Sequence, residues 1–69
     1  MSKAPRSLTL GCKLLMARKA AGITQRLMAK KAGITFAYAC RIERDINVPS
    51  IAVLKRLAKA LSIEAGELL

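Results

Sequence analysis

The side chains that offer chemistry in this sequence are cationic, and they are unevenly placed. Residues 1–42 hold nine Lys and Arg and no Asp or Glu, whereas residues 43–69 hold four of each sign. The formal net charge of +9 therefore belongs entirely to the N-terminal part of the chain. Solubility does not require one-sided charge, whereas a one-sided basic surface suits a polyanionic partner such as nucleic acid. There is no His and no nucleophile–base pair, and the four acidic residues form no recognisable site, so enzyme activity is not expected. Cys12 and Cys40 lack CxxC or zinc spacing. They read as free thiols suited to a reducing cytoplasm. No metal, other cofactor or small-molecule ligand is indicated.

Sixty-nine residues allow one domain. A chain this short buries only about 60% of its unfolded surface, so its core is marginal and dimerisation would help it. The 54% of apolar residues excludes a disordered polar tail. Leu, Ala and Ile dominate, with one Phe, one Tyr and no Trp, which favours helices over a β-sandwich. Lys3, Arg6 and Lys13 interrupt any spanning segment, and Gly22 and Gly33 break any long interfacial helix, so no membrane partner is expected.

The elements that must position the cations are read from caps and periodicity. Thr24–Glu43, TQRLMAKKAGITFAYACRIE, predicts two short helices joined by a tight turn, the helix-turn-helix unit of DNA-binding proteins. Thr24 and Thr35 are the expected N-caps. Gly33 stands where the chain must turn sharply with positive φ, which Gly adopts at no steric cost. Ala29 is small where two helices cross steeply. Met28, Ala32, Ile34, Ala39 and Ile42 supply the buried side, and the second helix, roughly Phe36–Arg44, keeps a separate outer face. Upstream, residues 1–7 read as a flexible basic arm charged by Lys3 and Arg6. Residues 8–69 form the domain. Its first helix runs from about Thr9 to Ala21, with Leu10, Leu14 and Ala17 inside and Gly22 as its stop. After a loop from Arg44 to Val48, Pro49 and the N-cap Ser50 open a fourth helix, about Ile51–Ala60. That helix is expected to bury Ile51, Leu54, Leu57, Ala58 and Leu61. Ile63 then enters the core, and Glu64–Leu69 is expected to make a short fifth helix.

From about Leu10 to Leu69 the sequence resembles the small Cro/phage-repressor-type helix-turn-helix domains, the XRE family. The resemblance rests on LG at 10–11, RKAAGITQ at 18–25, AKKAGIT at 29–35, RIER at 41–44, NVPS at 47–50 and LKRLAKALSI at 54–63. It implies an all-α, compact five-helix domain with the helix-turn-helix at helices two and three. It also implies a bacterial or phage cytoplasmic location.

The resemblance places the third helix in the major groove, with Phe36, Ala37, Cys40 and Arg41 at the base-facing positions. Arg41 is the strongest of these, because a guanidinium can donate two hydrogen bonds to guanine, worth about 1–3 kcal/mol of discrimination. A phosphate contact or a salt bridge is its competing role. Phe36 and Ala37 depart from the family's polar readers. Both can pack on a thymine methyl group, and Phe36 can equally meet a neighbouring helix or a dimer partner. Cys40 is small and a weak donor. Phosphate contacts fall to Gln25 and Thr35 at helix starts, and to Tyr38, Arg44 and Asn47 on the other side. Lys30 and Lys31 read as a solvated face that steers association. Arg18 and Glu43 are implied to form a buried ion pair that fixes the third helix against the first. Ala17 and Ala39 are smaller than the family's usual aliphatic residues, and Met28 or Leu27 is expected to fill the space.

The expected function is sequence-specific binding of double-stranded DNA by a small transcriptional regulator, repressor or activator. A homodimer on a pseudo-palindromic operator fits two-fold symmetry. The dimer surface is expected at Ile46–Val48 and at the C-terminal helix with its apolar end, Leu68 and Leu69. The alternative is an antitoxin-like or regulatory protein-interaction subunit that also binds DNA, meeting its protein partner through Leu27, Phe36 and Leu68–Leu69. Sequence-indifferent DNA compaction is a third reading, marked by affinity dominated by counterion release.

Overall fold

A computed structural model of the protein describes residues 8–69. The expected arm, with Lys3 and Arg6, lies outside the described residues. Four α-helices follow in chain order: α1 (Leu10–Ala21), α2 (Gln25–Ala32), α3 (Phe36–Glu43) and α4 (Ile51–Ala60). Each starts at a hydroxyl that accepts the N–H of the third helical residue, Thr9 from Cys12, Thr24 from Leu27, Thr35 from Tyr38 and Ser50 from Val53, at 3.1–3.2 Å. That bond satisfies one of the four N–H groups a helix start leaves open. α2 stops where expected. Gly33 has φ 72°, its N–H reaches the Lys30 carbonyl, and the Ile34 N–H closes on the Ala29 carbonyl at 3.0 Å.

α2 lies between α3 and α4, packed on both, while α1 packs on α3. Leu14, Met28, Ile42, Leu57 and Leu68 are the largest fully buried side chains. Ala29, Ala32, Ala39 and Ala58 are buried among them and let the helices approach closely. Met28 is fully buried in the same core as the small Ala39, while Leu27 stays exposed.

Three expectations are corrected. The fifth helix is a 3₁₀ turn, Ala65–Leu68, closed by a capping box between Glu64 and Glu67. Gly66 lies inside this segment, where Gly disfavours an α-helix, and 3₁₀ turns serve as short connecting pieces. Ile51 is 59% exposed rather than buried. As the first residue of α4, its side chain leans past the helix start and off the core, and Pro49 is buried nearby instead. Leu68 is 1% exposed and belongs to the core, so it is not free to meet a partner.

α1 is also fastened to the α3–α4 loop by contacts that the sequence does not announce. Asp45 sits in the left-handed region at φ 62°. Its carboxylate accepts from the Gly11 N–H at 2.9 Å and the Thr9 hydroxyl at 2.7 Å. An acid at a helix start is favoured by the macrodipole as well, and Asp tolerates the left-handed region better than most residues. Gly11 is buried, with no room for a side chain. A Cβ there would lie 2.6 Å from the Ile42 carbonyl oxygen and 2.7 Å from that of Glu43.

Candidate nucleic-acid interface

α3 divides its residues cleanly. Ala39, Ile42 and Glu43 face inward and are buried. Phe36, Ala37, Arg41 and Arg44 are exposed and Cys40 is half-buried. Steps of one, four and five residues put Phe36, Ala37, Cys40 and Arg41 on one stripe of the helix, and Arg44, its C-cap, follows them. The stripe is continued on either side. The Arg26 guanidinium of α2 lies over the Phe36 ring, 4.1 Å from its centroid, a cation–π contact. The Cys40 thiol donates to the Gln25 amide oxygen at 3.4 Å. At the far end the Ile46 and Asn47 N–H groups both close on the Arg41 carbonyl, at 2.9 and 3.3 Å. The loop bearing Arg44 and Asn47 is thereby fixed relative to the stripe.

The remaining expected contacts are less uniform. Thr35 is exposed and caps α3, so its second lone pair stays open to solvent. Tyr38 is half-buried, with its ring packed against the core, which leaves only part of it at the surface. Gln25 is already engaged. Its amide nitrogen donates to Glu43 Oε1 at 2.8 Å while its oxygen accepts from Cys40. An amide NH₂ carries two hydrogens, so one remains available to a ligand. Cys12 and Cys40 are both free.

Behind the stripe, Arg18 and Glu43 meet as a two-point pair, Nε to Oε2 at 2.6 Å and Nη2 to Oε1 at 3.3 Å. Their side chains are only 12% and 3% exposed. The third arm of the guanidinium, Nη1, donates to the Ile23 carbonyl at 3.0 Å. One carboxylate thus joins the end of α3 to α1, to the α1–α2 turn and to the first residue of α2. Such a pair offsets its own desolvation only when every donor and acceptor is satisfied. Here both carboxylate oxygens have partners. Electrostatically, the surrounding acids are spent internally, Glu43 on Arg18 and Asp45 on Thr9 and Gly11. The cations of the face, Arg26, Arg41 and Arg44, form no ion pair among the described residues.

Sequence reasoning assigns no role to Arg26, Gly11, Asp45 or Arg56. The Arg56 Nε and Nη2 donate to the Ala32 and Gly33 carbonyls at 3.0 and 3.3 Å, capping the C-terminus of α2 from α4. These are contacts between residues far apart in the chain, and periodicity carries no signal for them. Only an acidic residue at a loop position that takes positive φ offers a clue for Asp45.

Comparison with known proteins finds relatives of the same family and fold. The family profile described as Helix-turn-helix matches residues 14–68. An uncharacterized HTH-type transcriptional regulator of Mycobacterium tuberculosis is 35% identical over 48 residues, covering 70% of this chain and 34% of that protein. The immunity repressor protein of Bacillus phage phi105 is 36% identical over 59 residues, covering 86% of this chain and 41% of that one. The chain therefore spans about a third to two-fifths of the length of these curated relatives. Among solved structures, the restriction-modification controller protein C.AhdI from Aeromonas hydrophila superposes with a TM-score of 0.86 at 32% identity, over 90% of this chain and 94% of that one. No helix among the described residues is long and apolar enough to cross a membrane. With the profile covering most of the chain and the helix-turn-helix formed by α2 and α3, this protein belongs to the XRE-type helix-turn-helix family of DNA-binding transcription regulators.

Proposed function

We propose that this chain binds double-stranded DNA sequence-specifically, with α3 in the major groove, as a homodimer on a pseudo-palindromic operator. The observation that carries this reading is the exposed, acid-free stripe of Phe36, Ala37, Cys40, Arg41 and Arg44, held from behind by the Arg18–Glu43 pair. Arg41 is the principal base reader. Phe36, its ring covered by Arg26, and Ala37 offer apolar contact to thymine methyl groups. Thr35, Gln25, Arg44, Asn47 and the exposed part of Tyr38 take phosphates, aided by the open N–H groups at the start of α2. Few side chains on this stripe hydrogen-bond to bases, so DNA shape and deformability supply an unusually large share of selectivity.

The partner surface is a second copy of this chain. Ile46, Val48 and Ile51 are 63%, 83% and 59% exposed and lie close together in sequence at the α3–α4 loop and the start of α4, and Leu69 is 68% exposed. With Leu68 buried, the dimer surface shifts from the C-terminal end toward this loop. One relative is named a repressor and one similar structure a controller protein, and regulation of either sign fits the interface. The antitoxin-like alternative draws on the exposed Leu27 and Phe36. Tight binding to a protein partner that survives high salt, with no base preference on DNA, would favour it.

Replacing Arg41 by Ala is expected to relax base preference at one position of each half-site by about 1–3 kcal/mol. Preference at the other positions and the melting temperature stay as they were, because the side chain is exposed. A competition titration over single-base operator variants reads this directly. Unchanged preference at every position would remove Arg41 from the base-reading set.

A further inference from the structure

The C-terminal halves of α2 and α4, with Gly33 and Ser62 just beyond them, line an open cleft of about 660 Å³. Four cations line it, Lys30, Lys31, Arg56 and Lys59, and no acidic residue does. The only ion pair among the described residues is Arg18–Glu43, so none of these four is neutralised there. Some of this charge has a structural use. Lys30 and Lys31 lie in the last turn of α2 and Lys59 in that of α4, where cations are favoured by the macrodipole. Arg56 spends two donors on the Ala32 and Gly33 carbonyls. That use does not by itself gather four cations and no acid around one concavity, and such a cluster draws anions from solution.

α3 contributes no residue to this cleft, which is lined by α2, α4 and the residues just after them. A duplex seated on α3 therefore leaves the cleft open. The cleft is too small for a duplex, and neither Phe36 nor Tyr38, the two aromatic residues of the chain, lines it. Single-stranded nucleic acid is held in large part by stacking on aromatic rings, and that component is missing. Carboxylates need only ammonium and guanidinium donors, and the donors of Arg56 not held by carbonyls suit them. We infer that the cleft between α2 and α4 receives an acidic segment of a partner protein. In its further claim that DNA and this segment are held together, the inference rests on the proposed reading of α3.

A fluorescently labelled decaglutamate peptide is the probe, titrated into the full chain at low salt. Lys31→Gln with Lys59→Gln is compared with Lys19→Gln with Lys55→Gln, which removes the same charge from exposed positions outside the cleft. The cleft pair is expected to weaken peptide binding about fivefold or more, and the control pair less than about twofold. Amide shifts in the titration should concentrate at residues 30–33 and 56–62. Saturating duplex should leave the peptide bound. Equal losses from both pairs would mean indifferent charge attraction and would overturn the inference. So would shifts centred on α3, displacement of the peptide by duplex, or tighter binding of oligodeoxythymidine to the same cleft. Should the chain bind no duplex at all, the reading of α3 fails while the comparison of the two pairs still decides the cleft.

Discussion

Arg18→Met is expected to lower the stability of the domain by about 3–5 kcal/mol, because it strands the Glu43 carboxylate in a site only 3% exposed. For a domain of this size each kcal/mol moves the melting temperature by about 4–8 °C. The transition should therefore fall by well over ~10 °C, and a small domain of ordinary stability is left close to unfolded. The paired variant Arg18→Met with Glu43→Leu should recover most of that loss, since an apolar pair of similar volume is often neutral in such a place. Recovery will be incomplete. Glu43 also accepts from Gln25, and Arg18 also donates to the Ile23 carbonyl, so two polar groups remain unpaired in the double variant. If the pair serves mainly to orient α3, the double variant will melt near the parent yet bind DNA more weakly. Thermal melts followed by circular dichroism, with a DNA titration of the double variant, separate the two roles. An unchanged melting temperature for Arg18→Met would show that the pair is not buried in solution.

Gly11→Ala tests the other fastening of α1, and propensity and packing oppose each other in it. In a helix interior, Ala is better than Gly by about 0.5–1 kcal/mol. Here the new methyl carbon would stand 2.6–2.7 Å from the carbonyl oxygens of Ile42 and Glu43 and from the Asp45 carboxylate. Two of those three are backbone and cannot swing aside. To make room, α1 must move away from the end of α3, which loosens the Asp45 bonds to Thr9 and Gly11 and disturbs the Arg18–Glu43 pair. The net effect should be a destabilisation at the upper end of about 1–3 kcal/mol. A lower urea midpoint with an unchanged slope is the expected reading. A stabilised protein would mean that propensity wins and that α1 does not press on the α3–α4 loop.

What the amino-acid sequence makes legible follows a physical division between local and long-range effects. Caps and stops are local, so Thr24, Thr35, Ser50 and Gly33 can be read from single residues and their neighbours. The apolar spacing of α2 and α3 marks Met28, Ala32, Ala39 and Ile42 as the buried side, and periodicity on α4 finds Leu54, Leu57 and Ala58. The same periodicity misplaces Ile51, since a helix wheel takes no account of where the helix begins relative to the core. Nor does it separate an α-helix from the 3₁₀ turn that Ala65–Leu68 makes around Gly66. Leu68 looks like an exposed apolar end because it stands near the C-terminus, yet the chain folds back and buries it against α4. For the interface, the residues named on α3 do share one stripe, because helical spacing is enough to group them. The long-range contacts that hold the elements together, Asp45 to Gly11, Arg26 to Phe36 and Arg56 to the end of α2, join elements with no sequence pattern in common, and only the fold brings them together.

If α3 reads DNA sequence as one half of a symmetric dimer, the chain should choose symmetric sites from a random pool. Selection of binding sites from a random duplex library by the purified chain, at near-physiological salt, addresses it most directly. The expected result is an enriched pseudo-palindrome whose half-sites lie about one helical turn apart, with a guanine preference in each half-site that disappears in Arg41→Ala. Binding without any enriched sequence, or no binding to duplex at all, would contradict it.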